Sequence, residues 1–82
     1  MEFLRGKNRI YVQNSSKDII AEIEYEETSD GVYNIYHTFV DESLRGQGVA
    51  SQLVEEAVKD IKAKGGKVTA TCSYAKKWLE KS

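Results

Sequence analysis

Proline is absent from the 82 residues, and histidine, cysteine, methionine and tryptophan occur once each. Without proline, the breaks in the chain must be read from Gly, Asn, Asp and Ser. The lone Cys72 cannot form an internal disulfide. One histidine, His37, leaves no Cys/His set of the kind a structural zinc requires, so no metal is expected. Long apolar runs are missing too. None approaches the roughly 18 residues of a membrane span, and Met1-Glu2-Phe3-Leu4-Arg5 lacks the apolar stretch of a signal peptide. A cytoplasmic protein with no membrane partner is expected. Neither charge sign is in excess: 12 Lys plus Arg against 13 Asp plus Glu leave a net charge of -1. Nucleic-acid binders lean on a strongly basic face, which this composition does not offer. A chain this short buries only about 60% of the surface its unfolded form exposes. One small domain over residues 1–82 is expected, with little room for a deep pocket, so a sizeable ligand must lie across an open surface.

What is present is organised by period. Gly6-Lys7-Asn8, Asn14-Ser15-Ser16-Lys17-Asp18 and Thr28-Ser29-Asp30-Gly31 punctuate the first half like the turns of a β-meander, with Asp30-Gly31 the sharpest signal. Between them Ile19, Ala21, Ile23 and Tyr25 alternate with Glu22, Glu24 and Glu26, the pattern of a half-buried strand. Ile10 and Val12 suit a shorter strand, residues 32–40 a longer one, and Phe3-Leu4-Arg5 a fringe strand. After Gly48 the period changes. Val49, Leu53, Ala57 and Ile61, flanked by Ala50, Val54 and Val58, form an apolar stripe opposite Gln52, Glu55, Glu56, Lys59, Asp60 and Lys62. That predicts an amphipathic helix from about Gly48 to Lys64, stopped by Gly65-Gly66. Residues 67–72 read as a strand, and Ser73 can cap a short final helix through Lys81. The order predicts an α+β fold: three to four antiparallel strands, a helix, a parallel strand and a C-terminal helix. Strands 32–40 and 67–72 are expected side by side, because a helix between them permits a parallel crossover.

The chemistry concentrates between residues 41 and 50. Gly46 and Gly48 leave the backbone open to a ligand, and the first N–H groups of the following helix have no partner within it. With the helix dipole and the charge of Arg45, they form an anion site suited to a phosphate or pyrophosphate. On these residues alone, an ordinary tight strand-to-helix turn is an equal reading.

Arg45-x-x-Gly48-x-Ala50 resembles the Q/R-x-x-G-x-G/A signature of the GNAT N-acetyltransferase superfamily, and it stands in the matching place between strand and helix. His37-Thr38-Phe39-Val40 before the loop and Cys72-Ser73-Tyr74 after the next strand are similar to the small stand-alone acetyltransferase-like branch of that superfamily. The likeness covers roughly residues 18–81. It implies a minimal GNAT-like fold in which acetyl-CoA lies in a V between the strand before the motif and the strand after the helix. The pyrophosphate would rest on Arg45, Gly46, Gln47, Gly48, Val49 and Ala50. The pantetheine arm would run along Phe39 and Val40.

The resemblance also implies catalytic candidates. Cys72 is expected at the end of the second strand of the V, beside a helix start that favours the thiolate; without that context it is a small buried hydrophobe. His37 on the facing strand can titrate near neutrality and could serve as base or as partner to the thiol, although a lone strand histidine is commonly structural. Typical members carry an acid tyrosine near the position of Leu79, next to Trp78, and this sequence lacks it; Tyr74 is the substitute candidate. Trp78 and Leu79 are expected to pack on the sheet. Lys76, Lys77 and Lys81 read as a solvated face that could also steer phosphates. The Glu22, Glu24 and Glu26 ladder reads as a solvated face, or else as an acceptor site for a cationic amine. The function implied is an acetyl-CoA-dependent N-acetyltransferase acting on an unidentified amine, either directly or through acetylated Cys72. The alternative is a CoA-binding or protein-interaction module with little turnover. A monomer or weak homodimer is expected.

Overall fold

Hydrophobic alternation and turn chemistry assemble the first half of the chain into a meander, seen in a computed structural model that describes residues 2–81. The strands are β1 (Leu4–Gly6), β2 (Arg9–Gln13), β3 (Ile19–Ser29) and β4 (Val32–Val40), followed by a 3-10 turn at Glu42–Leu44. Helix α1 (Val49–Ala63), strand β5 (Lys67–Ala70) and helix α2 (Ser73–Lys81) complete it. The five strands lie in sequence order in one sheet, antiparallel from β1 to β4 and parallel between β4 and β5. The fold is α+β with a mixed sheet, as the periodicities predict. No described helix is long and apolar enough to cross a membrane.

Alternation decides which face is buried. Ile10 and Val12 of β2, Ala21, Ile23 and Tyr25 of β3 and Ile35 of β4 face α1, whose Val49, Leu53, Val54, Ala57 and Ile61 are buried against them. Ile19 departs from the expected pattern and is 41% exposed. Val12 pairs with Ala21 but Gln13 with Ile19, so a register shift takes Ile19 out of the buried row. No described helix covers the opposite sheet face. Arg5 ties the edge strand to α1 through ion pairs of 2.5 Å to Glu56 and 2.8 Å to Asp60.

Element ends depart from expectation by small amounts, each with a cause. The fringe strand lies at Leu4–Gly6 rather than at Phe3–Arg5. Strand β3 continues through Thr28 and Ser29, leaving Asp30-Gly31 as the turn. Helix α1 stops where foreseen: Gly65, at φ +78°, donates to Lys62 O at 2.9 Å and Gly66 to Ile61 O at 3.0 Å. Those two bonds are the Schellman pattern that satisfies the last carbonyls of a helix. The last strand is shorter than 67–72. After Ala70 the N–H groups of Thr71 and Cys72 both donate to Ile35 O, at 3.0 and 3.2 Å, and the chain turns away from β4. Cys72 O then accepts from Lys76 N–H at 2.9 Å, so the N-cap of α2 is Cys72 and not Ser73.

Two irregularities shape everything downstream. Strand β4 pairs with β5 only from Val32 to Ile35, while its pairing with β3 continues to Val40. The strands therefore part at Ile35, and residues 36–40 have a free edge on that side. Just there β4 gains a residue: Glu24 pairs with His37 but Tyr25 with Ile35, leaving Tyr36 as a β-bulge. Because side chains alternate, one extra residue swaps the faces of all that follow. His37 and Phe39 turn to the helix-free face, in register with Glu24 and Glu22. Thr38 and Val40 turn toward α1, in register with the buried Ile23 and Ala21.

Candidate active site

The free edge of β4 and the start of α1 enclose the candidate site. Asp41 fixes the entry to the loop: its carboxylate accepts from Ser43 N–H at 3.0 Å and from Ser43 Oγ at 2.6 Å. Those bonds hold Asp41 below its ordinary pKa, with the Ser43 hydroxyl the larger cause. Arg45 N–H then donates to Glu42 O at 3.1 Å and Gln47 N–H to Leu44 O at 3.3 Å. Two of the six N–H groups expected to receive an anion are thus already engaged within the loop.

The remaining four belong to Gly46, Gly48, Val49 and Ala50, at and before the helix start. Gly48 is the N-cap at φ +70°, a left-handed conformation that glycine adopts without steric cost, and it gives no side-chain cap. Gly46 is left-handed as well, at φ +81°, and a Cβ on either glycine would meet nothing within 4 Å. Backbone conformation, not tight packing, selects glycine here, and the space beside it is open. The first helical bond runs from Gln52 N–H to Gly48 O at 3.1 Å, so the N–H groups of Val49 and Ala50 precede the ladder. No acidic residue occupies the first turn. The Arg45 guanidinium is exposed, with Glu42 at 3.8 Å. Val40, Leu44, Arg45, Gly46, Gly48, Val49, Ala50 and Tyr74 line a cavity of about 280 Å³ here.

Where β4 and β5 part, Cys72 faces Thr38. The thiol donates to Thr38 Oγ1 at 3.3 Å. Burial pushes the thiol pKa up, but hydrogen bonds with the Thr38 hydroxyl and with the N–H groups of Ala75, Tyr74 and Thr38 outweigh it and leave the group below its ordinary value. Tyr74 and Ala75 are the second and third residues of α2. The sulfur therefore takes the place that an N-cap oxygen usually fills.

The family profile for GCN5-related N-acetyl-transferase matches residues 9–82. The chain belongs to that family. This GNAT protein is similar over 98% of its length to a GCN5-like candidate N-acetyltransferase from Staphylococcus aureus, at 36% identity and a TM-score of 0.81, covering 78% of that chain. It is also similar to an acetyltransferase from Bacillus cereus, at 27% identity over 76% of its length and 44% of that chain, with a TM-score of 0.68. An acetyltransferase assignment from Pyrococcus furiosus, 24% identical with a TM-score of 0.66, shares the fold, and the GNAT chain spans 55% of it. No curated protein matches.

Not all the residues singled out in the sequence meet. Cys72, Tyr74, Val40 and the glycine loop surround the parting of the strands. His37 does not join them. The Tyr36 bulge puts it on the helix-free face, 45% exposed on its side chain, with Nε2 3.7 Å from Glu22 Oε1. Ligand atoms of Glu22, Glu24 and His37 lie within 4.8 Å of one another there, and Glu22 is also ion-paired with Arg9. Phe39 shows its ring to the same face, so only its backbone borders the gap. Trp78 packs against the core and donates its indole N–H to Ser51 Oγ at 2.9 Å, while Leu79 borders a groove with Val58 and Val68. Lys76, Lys77 and Lys81 are exposed. Thr38 is the residue that sequence reasoning missed. Its only signal is its place beside His37, and regular alternation from Ile35 assigns it to the wrong face.

Proposed function

We propose that this GNAT protein transfers the acetyl group of acetyl-CoA to an amine. The observation that carries the reading is the uncapped glycine start of α1, which opens onto the gap where β5 leaves β4. The N–H groups of Gly46, Gly48, Val49 and Ala50 would bind the pyrophosphate, and the exposed Arg45 can swing onto it. The free β4 edge at Phe39 and Val40 would hydrogen-bond the pantetheine amides as a missing strand would. When bound, acetyl-CoA supplies an acyl group activated as a thioester, and this arrangement directs it toward Thr38 and Cys72.

Two routes fit the residues. In one, an amine on the helix-free face is deprotonated by His37 or a neighbouring carboxylate and attacks directly. In the other, Cys72 attacks first as a thiolate and hands the acetyl group on. In both, Tyr74 borders the cleft and can protonate the departing thiolate of CoA. Leu79, standing where larger members carry their acid tyrosine, favours a second reading, a CoA-binding module with little turnover.

Calorimetric titration with acetyl-CoA tests the proposal. Saturable binding by the wild type is expected, together with its loss in Gly48→Val, whose branched side chain disfavours a positive φ. Retained circular dichroism would show that the variant still folds. No binding by the wild type overturns both readings. Binding without acetylation of any amine in a panel of alkyl amines, amino acids and peptides supports the module.

A further inference from the structure

The Tyr36 bulge has a chemical result that neither the loop nor the cysteine explains. It turns Thr38 inward at the point where β4 loses β5 as a neighbour, so residue 38 faces the sulfur that caps α2. We propose that Thr38 is a positioning residue, which holds the Cys72 sulfur in the gap between β4 and β5 with its hydroxyl, ready to meet a thioester there.

The geometry supports this from both sides of the gap. On the β5 side the chain leaves through a shared acceptor, with Thr71 N–H and Cys72 N–H both on Ile35 O. That junction fixes the Cys72 backbone and leaves its side chain to be placed. From β4 the Thr38 hydroxyl meets the sulfur at 3.3 Å, and hydrogen bonding from that hydroxyl, from the start of α2 and from the Thr38 N–H outweighs burial and holds the thiol below its ordinary pKa. The hydroxyl is the adaptable member of this set. Toward a neutral thiol it accepts, as it does at 3.3 Å, and toward a thiolate it can rotate and donate. No proton leaves the protein through Thr38, so its part is orientation and stabilisation of charge on sulfur, not proton transfer.

The inference rests on the acetyl-transfer reading for its purpose, but its test needs no CoA. The pH dependence of Cys72 alkylation by iodoacetamide would be measured in wild type, Thr38→Val and Thr38→Ser. Valine keeps the methyl and loses the hydroxyl; serine does the reverse. The loss of one hydrogen bond to a charged sulfur is expected to move the Thr38→Val midpoint to higher pH and to slow alkylation at neutral pH roughly fivefold, with Thr38→Ser restoring the wild-type profile. In the wild type, the Thr38 amide proton should titrate with the same midpoint as the Cys72 Cβ resonance, a reading that requires no variant to fold. A Thr38→Val profile that superposes on wild type, a Thr38→Ser profile that follows valine, or a Thr38 amide that stays still through the thiol titration would each overturn the proposal. Failure of the wild type to bind acetyl-CoA would remove the transferase reading and leave these sulfur measurements to stand or fall separately.

Discussion

Cys72 would combine, on the proposed reading, a structural and a chemical task in one atom. As the N-cap residue of α2 it stands where serine or aspartate caps other helices, and hydrogen bonding there and with Thr38 outweighs burial and favours the thiolate. The two tasks separate by substitution. Cys72→Ser keeps a capping oxygen and should unfold in urea within a few tenths of a kcal/mol of wild type, whereas Cys72→Ala should lose about 1 kcal/mol; equal losses would show that the sulfur caps nothing. If acetyl transfer runs through the thiol, mass spectrometry after mixing with acetyl-CoA finds an acetyl adduct on Cys72, and both variants lose turnover. Full activity in Cys72→Ala would leave direct attack as the route. The ionisation also has a sign for stability. The folded thiol titrates below the 9.0 of a free one, so the unfolded chain binds more protons between the two values, and stability should rise with pH through that window. A urea midpoint that falls over the same interval would contradict the capping geometry.

At the scale of elements, boundaries were legible wherever one residue type has a physical reason to sit at an end. Gly65 takes the left-handed position that closes α1, so Gly65→Ala should cost about 1 kcal/mol in urea unfolding although its methyl would meet nothing within 4 Å. A neutral result would mean that the backbone there tolerates a side chain. Gly48 marks the opposite end as clearly. The apolar stripe of α1 and the alternation of Ala21, Ile23 and Tyr25 were equally readable, because burial repeats with the period of the element. A bulge has no such signature. Nothing about Tyr36 as a residue type announces that it is an extra member of β4, and this one insertion separates His37 from Cys72 and brings Thr38 to it. The end of β5 was hidden for a related reason. Thr71 and Cys72 have strand-like side chains, but their N–H groups share the single acceptor Ile35 O.

The described residues form a two-layer body of 37 × 25 × 17 Å, in which both helices meet the sheet and no described helix covers its other face. Its stability is concentrated where α1 covers β2 to β4. Leu53, fully buried at the centre of that contact, should cost about 2–5 kcal/mol on replacement by alanine, measured by urea unfolding. A much smaller loss would place the core elsewhere. The same layering bears on the proposed acetyl-CoA binding: on the proposed reading the ligand would lie across the parting of β4 and β5 and the loop beside it. The helix-free face lies on the other side of that parting, where His37, Glu22 and Glu24 come together and where the proposed direct route would bring its amine. Amide NMR shifts during titration with acetyl-CoA test this arrangement most directly. The account predicts saturable shifts confined to residues 38–40, 45–51 and 72–75, with β1, β2 and the far end of α1 unmoved. If those three segments stay silent at saturating acetyl-CoA, or if the shifts gather on another surface, the central claim is wrong.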